Sequence, residues 1–243
     1  MFVRAEARHQ LKQDRFRGTT LQVAENAAHW SVEHKSKLTI GGIVVLIAAA
    51  VALGGWSYLN HQDEKASSDL SKAVRAMETP IRPAGTPPQP DIPSFGSQKE
   101  RATEAHKQLQ TIVDQYSHTR SGEIARYFLG MTSADMGDFA AAQKELGAVA
   151  SSSNSDLASL AKLAQAAVYR QQDQNKPAIE IYKALADKPS RMVSKASAQL
   201  ELAATLMADK QPLEAKGMYE RVQKENPATP AAQIATTALQ ELK

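Results

Sequence analysis

The chain of 243 residues contains no cysteine. That absence removes disulfides, thiolate metal sites, cysteine nucleophiles and a lipid-modified N-terminal cysteine together. It leaves the compartment open, because a cysteine-free domain suits an oxidising space and the cytosol alike. Other signatures are missing as well: no glycine-rich phosphate loop, nucleophile elbow or HExxH motif occurs. The six histidines, His9, His29, His34, His61, His106 and His118, include no two spaced as metal ligands on one helical face. Acid pairs such as Asp135 with Asp138 are of the kind that decorate solvated helices. These absences point away from an enzyme and call for no cofactor, metal or small-molecule substrate.

A concentrated positive charge is lacking too. The formal charge is +3, and its location decides what it means. Residues 1–37 hold seven Lys/Arg against four Asp/Glu, while residues 98–243 hold eighteen against seventeen. A nucleic-acid binder needs a clustered basic face to displace counterions from phosphates, and no run supplies one. Nucleic acid is therefore not an expected partner.

What is present begins with 38–59, LTIGGIVVLIAAAVALGGWSYL, in which no residue is charged. A helix of roughly 20 such residues crosses the ~30 Å hydrocarbon core of a bilayer. Charged or titratable residues flank the run, and Trp56 and Tyr58 sit where an aromatic belt lies. The expectation is a single transmembrane helix retained as an anchor. A cleavable signal peptide is the competing reading, since Ala48, Ala50 and Ala52 offer small-residue cleavage patterns; the 37 residues ahead of the run argue against it. Ala48, Ala50, Ala52 and Gly54 also form small-xxx-small pairs, which arise easily by chance in an alanine-rich helix. Lys35 and Lys37 precede the span against Lys65, Lys72 and Arg75 after it. Adding Arg4, Arg8, Lys12, Arg15 and Arg17 tips the balance toward a cytoplasmic tail and a periplasmic payload. In the tail itself, Thr20 before Leu21, Ala24 and Ala28 reads as a short helix, either amphipathic on the membrane or nascent in a loose tail.

Beyond the span, Ala66, Leu70, Ala73 and Met77 continue at helical spacing, predicting a first soluble helix over 60–78. Residues 79–97 follow, with Pro80, Pro83, Pro87, Pro88, Pro90 and Pro93; that density predicts an extended, partly polyproline-like spacer.

Residues 98–243 contain an internal repeat. Small residues recur at Ala105, Ala142, Ala178 and Ala215, spaced 37, 36 and 37. Larger ones follow four positions on at Leu109, Leu146, Tyr182 and Tyr219, and a third column holds Ile112, Val149, Leu185 and Val222. Twelve residues before three of the alanines, the small member of Leu129-Gly130, Gln165-Ala166 and Leu202-Ala203 lets a paired helix approach closely. Pro189 and Pro227 end the repeated helices. This pattern resembles the tetratricopeptide repeat, a helix-turn-helix unit of about 34 residues. The Trp usual at the fourth position is absent, its place taken by apolar or small residues, and Gln165 replaces a Leu. The resemblance implies an all-α fold: one transmembrane helix, then a tetratricopeptide-like solenoid of about four helix pairs, capped by a helix over 230–242.

The order of parts, with the local echo YLNHQ followed by ASSDLSKAVRAM, resembles the ancillary tetratricopeptide subunits of the bacterial Sec translocon. That resemblance implies a single-pass protein of the bacterial inner membrane, with the translocon, periplasmic chaperones and unfolded clients as partners. The long proline insertion departs from it. In repeat solenoids the inner helices line a concave surface. On this register the lining is Tyr127, Met131, Asp135, Leu163, Ala167, Arg170, Leu200, Ala204 and Met207. A clamp for acidic peptide tails needs Lys and Arg here, and only Arg170 qualifies, so the lining suits apolar segments to which soft Met side chains adapt. The same residues equally suit burial against the next helix. A chaperone-like translocon subunit, an envelope scaffold and an anchored receptor facing the cytosol all remain open.

Overall fold

The computed structural model describes residues 35–87 and 93–242. The helix expected in the N-terminal tail lies outside them. Nine helices and no strand occur among the described residues, and the chain divides into two compact units, Met1–Tyr58 and Leu59–Lys243.

In the first unit the described residues belong to α1 (Lys35–Glu78), which runs without a break through residue 59. It is the one helix among the described residues long and apolar enough to cross a membrane, with a mean hydropathy of 2.1 and none of that window buried. Leu46, Val51, Leu53 and Trp56 are each about two-thirds exposed. A stripe buries one side of a water-soluble helix; apolar residues all round are the pattern of a helix solvated by lipid.

The second unit begins with the C-terminal part of α1 and continues with α2 (Gln98–Tyr116), α3 (Arg120–Asp135), α4 (Phe139–Ala150), α5 (Ser155–Gln171), α6 (Asn175–Asp187), α7 (Lys195–Ala208), α8 (Pro212–Glu225) and α9 (Pro230–Glu241). From α2 onward each helix packs on the next. Six helix starts are capped by a side chain accepting a backbone N–H: Ser97, Thr119, Asp138, Asn154, Ser194 and Thr229. Each such cap stabilises its helix by about 1 kcal/mol. α6 and α8 lack one and instead follow a tight turn. That turn recurs: Gly137, Asp173 and Lys210 have φ of 83°, 56° and 60°. In each case the next residue donates back to the carbonyl five positions earlier: Asp138 to Ser133, Gln174 to Tyr169 and Gln211 to Leu206, all at 2.9 Å. This is the Schellman ending, which satisfies otherwise orphaned helix carbonyls and reverses the chain. α6 and α8 stop two residues before Pro189 and Pro227, as the ring of a proline demands of the residues ahead of it.

The repeat columns are the core. Ala105, Ala142, Ala178 and Ala215 are fully buried, and so, to within a few per cent, are the eight residues of the other two columns. Gly130 shows why its column is small: a β-carbon there would lie 2.7 Å from Leu146 Cγ. The glycine of α3 thus receives the large residue of α4, and van der Waals contact replaces a side chain. The first pair joins α1 to α2, because Ala66 and Ala73 are buried in one cluster with Leu109, Ile112, Val113, Ala125 and Leu129. Asp63 strengthens that junction by accepting from Ser121 N at 2.8 Å, at the start of α3.

Residues 79–97 separate the two helices of the first pair. Their base carries a feature beyond the expected spacer, a parallel bridge between Ile81 and Phe95. Arg82 N donates to Phe95 O at 2.9 Å and Phe95 N to Pro80 O at 3.0 Å, and Arg82 Nη1 reaches Ser94 O at 3.0 Å. Arg101 Nη1 adds a bond from α2 to Thr79 O at 3.3 Å. Prolines deprive this stretch of donors, so Arg82 and Phe95 carry the pairing.

Candidate functional site

The nine lining residues all lie on α3, α5 and α7, the first helices of the second, third and fourth pairs. Eight are half-buried and Asp135 is exposed. They do not form one cluster. Tyr127 and Met131 pack with Ala142 and Leu146 of α4 and Ala164 and Val168 of α5. Leu163, Leu200 and Met207 pack on the larger core built from α6, α7 and α8. Each of these side chains therefore divides its surface between the next helix and solvent. Tyr127 also meets Phe128 edge-on, with ring centroids 5.3 Å apart at 66°, and burial pushes its phenol pKa up.

Two charged members have company. Arg170 Nη1 lies 2.6 Å from Glu201 Oε2, linking α5 to α7 across successive pairs. The same guanidinium acts on the Tyr182 phenol. Burial raises the pKa of Tyr182 and of Tyr219, the Glu201 carboxylate adds to both, and Arg170 opposes it. The ion pair thus acts electrostatically on the two tyrosines of the large-residue column. Its guanidinium is committed within the chain, so the lining offers no free cation among its nine residues. Partial desolvation by its neighbours also raises the Asp135 carboxyl pKa, with Arg101 counteracting. Chemically the face combines aromatic, leucine and methionine surface with one internal ion pair.

Glu201 was not among the expected residues, because it stands 31 positions from Arg170 and only the stacking of pairs brings them together. A second omission was legible. The repeat signature places an aromatic three residues before the first member of the Leu-Gly pair. Counting back from Leu129, Gln165 and Leu202 gives Arg126, Lys162 and Gln199. That column is polar, a correction to the apolar or small column expected from the sequence. Arg126 Nε lies 3.8 Å from Glu145 Oε2, whereas Gln199 is buried.

A sequence model of the family described as "Tetratricopeptide repeat-like domain" matches residues 28–187, which takes in the apolar segment and every helix through α6. The columns carry the same pattern on through α7 and α8, beyond the matched region. No curated protein and no solved structure matches the chain significantly.

Proposed function

The chain belongs to the tetratricopeptide repeat-like domain family, and from that membership we propose that it is a membrane-anchored, non-catalytic protein that binds polypeptides beside the bacterial Sec translocon. Domains of this family are typically non-enzymatic and mediate protein–protein contact, which makes binding or scaffolding the broad role. The finer reading places residues 1–37 in the cytoplasm, 38–59 across the inner membrane, and the repeat domain, residues 98–243 with the helix at 60–78, in the periplasm. There it would meet emerging or unfolded envelope proteins and periplasmic chaperones. The order of parts along the chain supports this.

The observation that carries the reading is the composition of the helix faces described above. Tyr127, Met131, Leu163, Leu200 and Met207 each remain partly exposed, while Arg170 is spent on Glu201. Such a face favours apolar clients over acidic tails.

The test is a mild-detergent pull-down of the full-length protein from membranes, read by mass spectrometry. Channel subunits should copurify, and the triple variant Tyr127→Ser, Met131→Ser, Leu163→Ser should lose client crosslinks while keeping its helicity. If one stoichiometric envelope complex dominates and no channel subunit is found, the protein is a scaffold. Topology has its own check: single cysteines at Ser31 and Ser153, probed from outside with an impermeant maleimide, should label only at Ser153. Ser153 is an exposed site. Labelling confined to Ser31 would turn the domain toward the cytosol.

A further inference from the structure

Chain length alone ties the start of α3 to the bilayer. Asp63 stands four residues beyond Leu59, the last residue of the apolar run. Four residues reach about 14 Å even when fully extended. Asp63 in turn holds Ser121 N at 2.8 Å, so the α2–α3 connection lies close to the lipid surface whatever path those four residues take.

From α2 onward, each helix packs on its successor across a connection of three to seven residues, and such neighbours run antiparallel. Connections therefore alternate between two ends of the domain. Residues 117–119, 151–154, 188–194 and 226–229 share the end that holds Asp63. A hydrogen bond from Arg191 N to Asp156 Oδ1, 3.1 Å long, ties the third of these to the start of α5.

The two ends differ in charge. At the Asp63 end the connections carry Lys188 and Arg191, with His118, and no carboxylate. At the other end, 136–138, 172–174 and 209–211 carry Asp138, Asp173 and Asp209 against Lys210 alone. Arg120, the first residue of α3, is a further exposed cation at the Asp63 end, in a place where the helix dipole disfavours one. Lys188 and Arg191 also border a cleft of about 1220 Å³ between the 151–154 and 188–194 connections, which Lys162 lines as well. Among the described residues none of these four cations is held in an ion pair. Two carboxylates line the cleft too; Asp156 accepts the bond from Arg191 N, which leaves Asp187 against three cations.

Beside Arg191, Met192 is 59% exposed while Val193 is buried, and Ser190 N closes the turn on Val193 O at 2.9 Å. The connection is thus a fixed turn displaying a cation next to an apolar side chain, a pairing that interfacial segments present to lipid.

We propose that this end of the domain rests on the anionic lipid surface of the membrane in which the chain is anchored, with Arg120, Lys188 and Arg191 on headgroup phosphates and Met192 at the acyl boundary. The proposal rests on reading 38–59 as a retained span. It is indifferent to the side of the membrane, because tether and cations lie on the same side. Each cation near such a surface adds an attraction that falls off within a Debye length. The domain is then held down at a second place, 188–194, beyond its tether at Asp63.

The test uses the full-length protein, whose lack of cysteine allows single nitroxide labels at Ser153→Cys, at the Asp63 end, and Gln174→Cys, at the other; both sites are exposed. In nanodiscs of phosphatidylcholine and phosphatidylglycerol doped with a nickel-chelating lipid, paramagnetic resonance reads collisions between label and headgroup. The Ser153 label should collide several-fold more than the Gln174 label. That excess should fall away in phosphatidylcholine alone, in high salt, and in the variant Arg120→Gln, Lys188→Gln, Arg191→Gln with helicity intact. Equal collisions at the two labels, or an excess that survives removal of charge from the lipid or from the protein, would overturn the assignment. So would loss of the excess on adding inorganic phosphate at constant ionic strength, which would give the cations to a soluble anion. A chain that elutes apart from the nanodiscs sinks the anchor reading and this one together; a chain that stays incorporated without the contrast sinks the lipid face alone.

Discussion

The pair α3–α4 and the pair α7–α8 carry the same columns 73 residues apart and treat the positions between them differently. In the earlier pair Gly130 receives Leu146; in the later one Ala203 and Tyr219 stand in those places, and all four are buried. Where Arg126 finds Glu145 in the first, the matching Gln199 of the second is buried with an unused acceptor, a state that Gln143 on α4 shares at a different position. Where Lys144 projects from α4, Gly217 leaves α8 bare. The columns decide how helices stack, so they tolerate little. Intervening positions answer to no such constraint, and there one pair can acquire a property its neighbour lacks.

One substitution made in both pairs separates column from interval most strongly. Gly130→Ala should destabilise by about 1–3 kcal/mol, because its new methyl must displace Leu146 in a closed core. Gly217→Ala should stabilise by about 0.5–1 kcal/mol, since it meets open space and favours the helix. Urea unfolding followed by helicity reads both, and effects of the same sign would dissolve the distinction between column and interval.

Exchanging the turn residues is a finer probe. Lys210 occupies a left-handed conformation that Gly137 adopts freely. Lys210→Gly should therefore gain up to about 1 kcal/mol and Gly137→Lys lose about as much. Equal responses in one direction would mean that something besides φ sets the cost.

The smallest effect concerns Asp135, whose place in the later pair is taken by Ala208. Because its folded-state pKa is raised, chiefly by partial desolvation, the native state holds that proton more tightly than the unfolded chain. Its contribution is thus fully present at low pH and lost as pH rises through the folded value. Asp135→Asn should be slightly more stable than the parent near neutrality. The gap should close as pH falls below the usual carboxylate range, which melting curves across pH would follow.

The all-helical fold was legible because it rests on period. A small residue followed by a large one four positions on, repeated every 36 or 37 residues, can only be satisfied by helices stacked in register, and each named column residue is buried. The proline-rich stretch was legible as an interruption for the opposite reason, its lack of backbone donors. Pairings across the chain were not readable: Ile81 with Phe95, Arg170 with Glu201 and Asp63 with Ser121 lie 14 to 58 residues apart and follow no period. The lining residues were located by register, but their half-burial depends on what the neighbouring helix places opposite. Gln199 stood in a column that could have been counted. Its significance could not, since an unpaired acceptor is defined by what surrounds it.

The bridge at Ile81 and Phe95 also bears on how the first pair can change over time. Two backbone bonds and the Arg82–Ser94 contact pin both stalks of the insertion, so the packing of Ala66 and Ala73 on α2 is insulated from the sequence carried between them. Closing a longer loop over a fixed base costs only about 0.6 kcal/mol for each doubling of its length. The insertion is thus a tolerant port, where new sequence, natural or engineered, can be grafted into the chain without renegotiating the helices on either side.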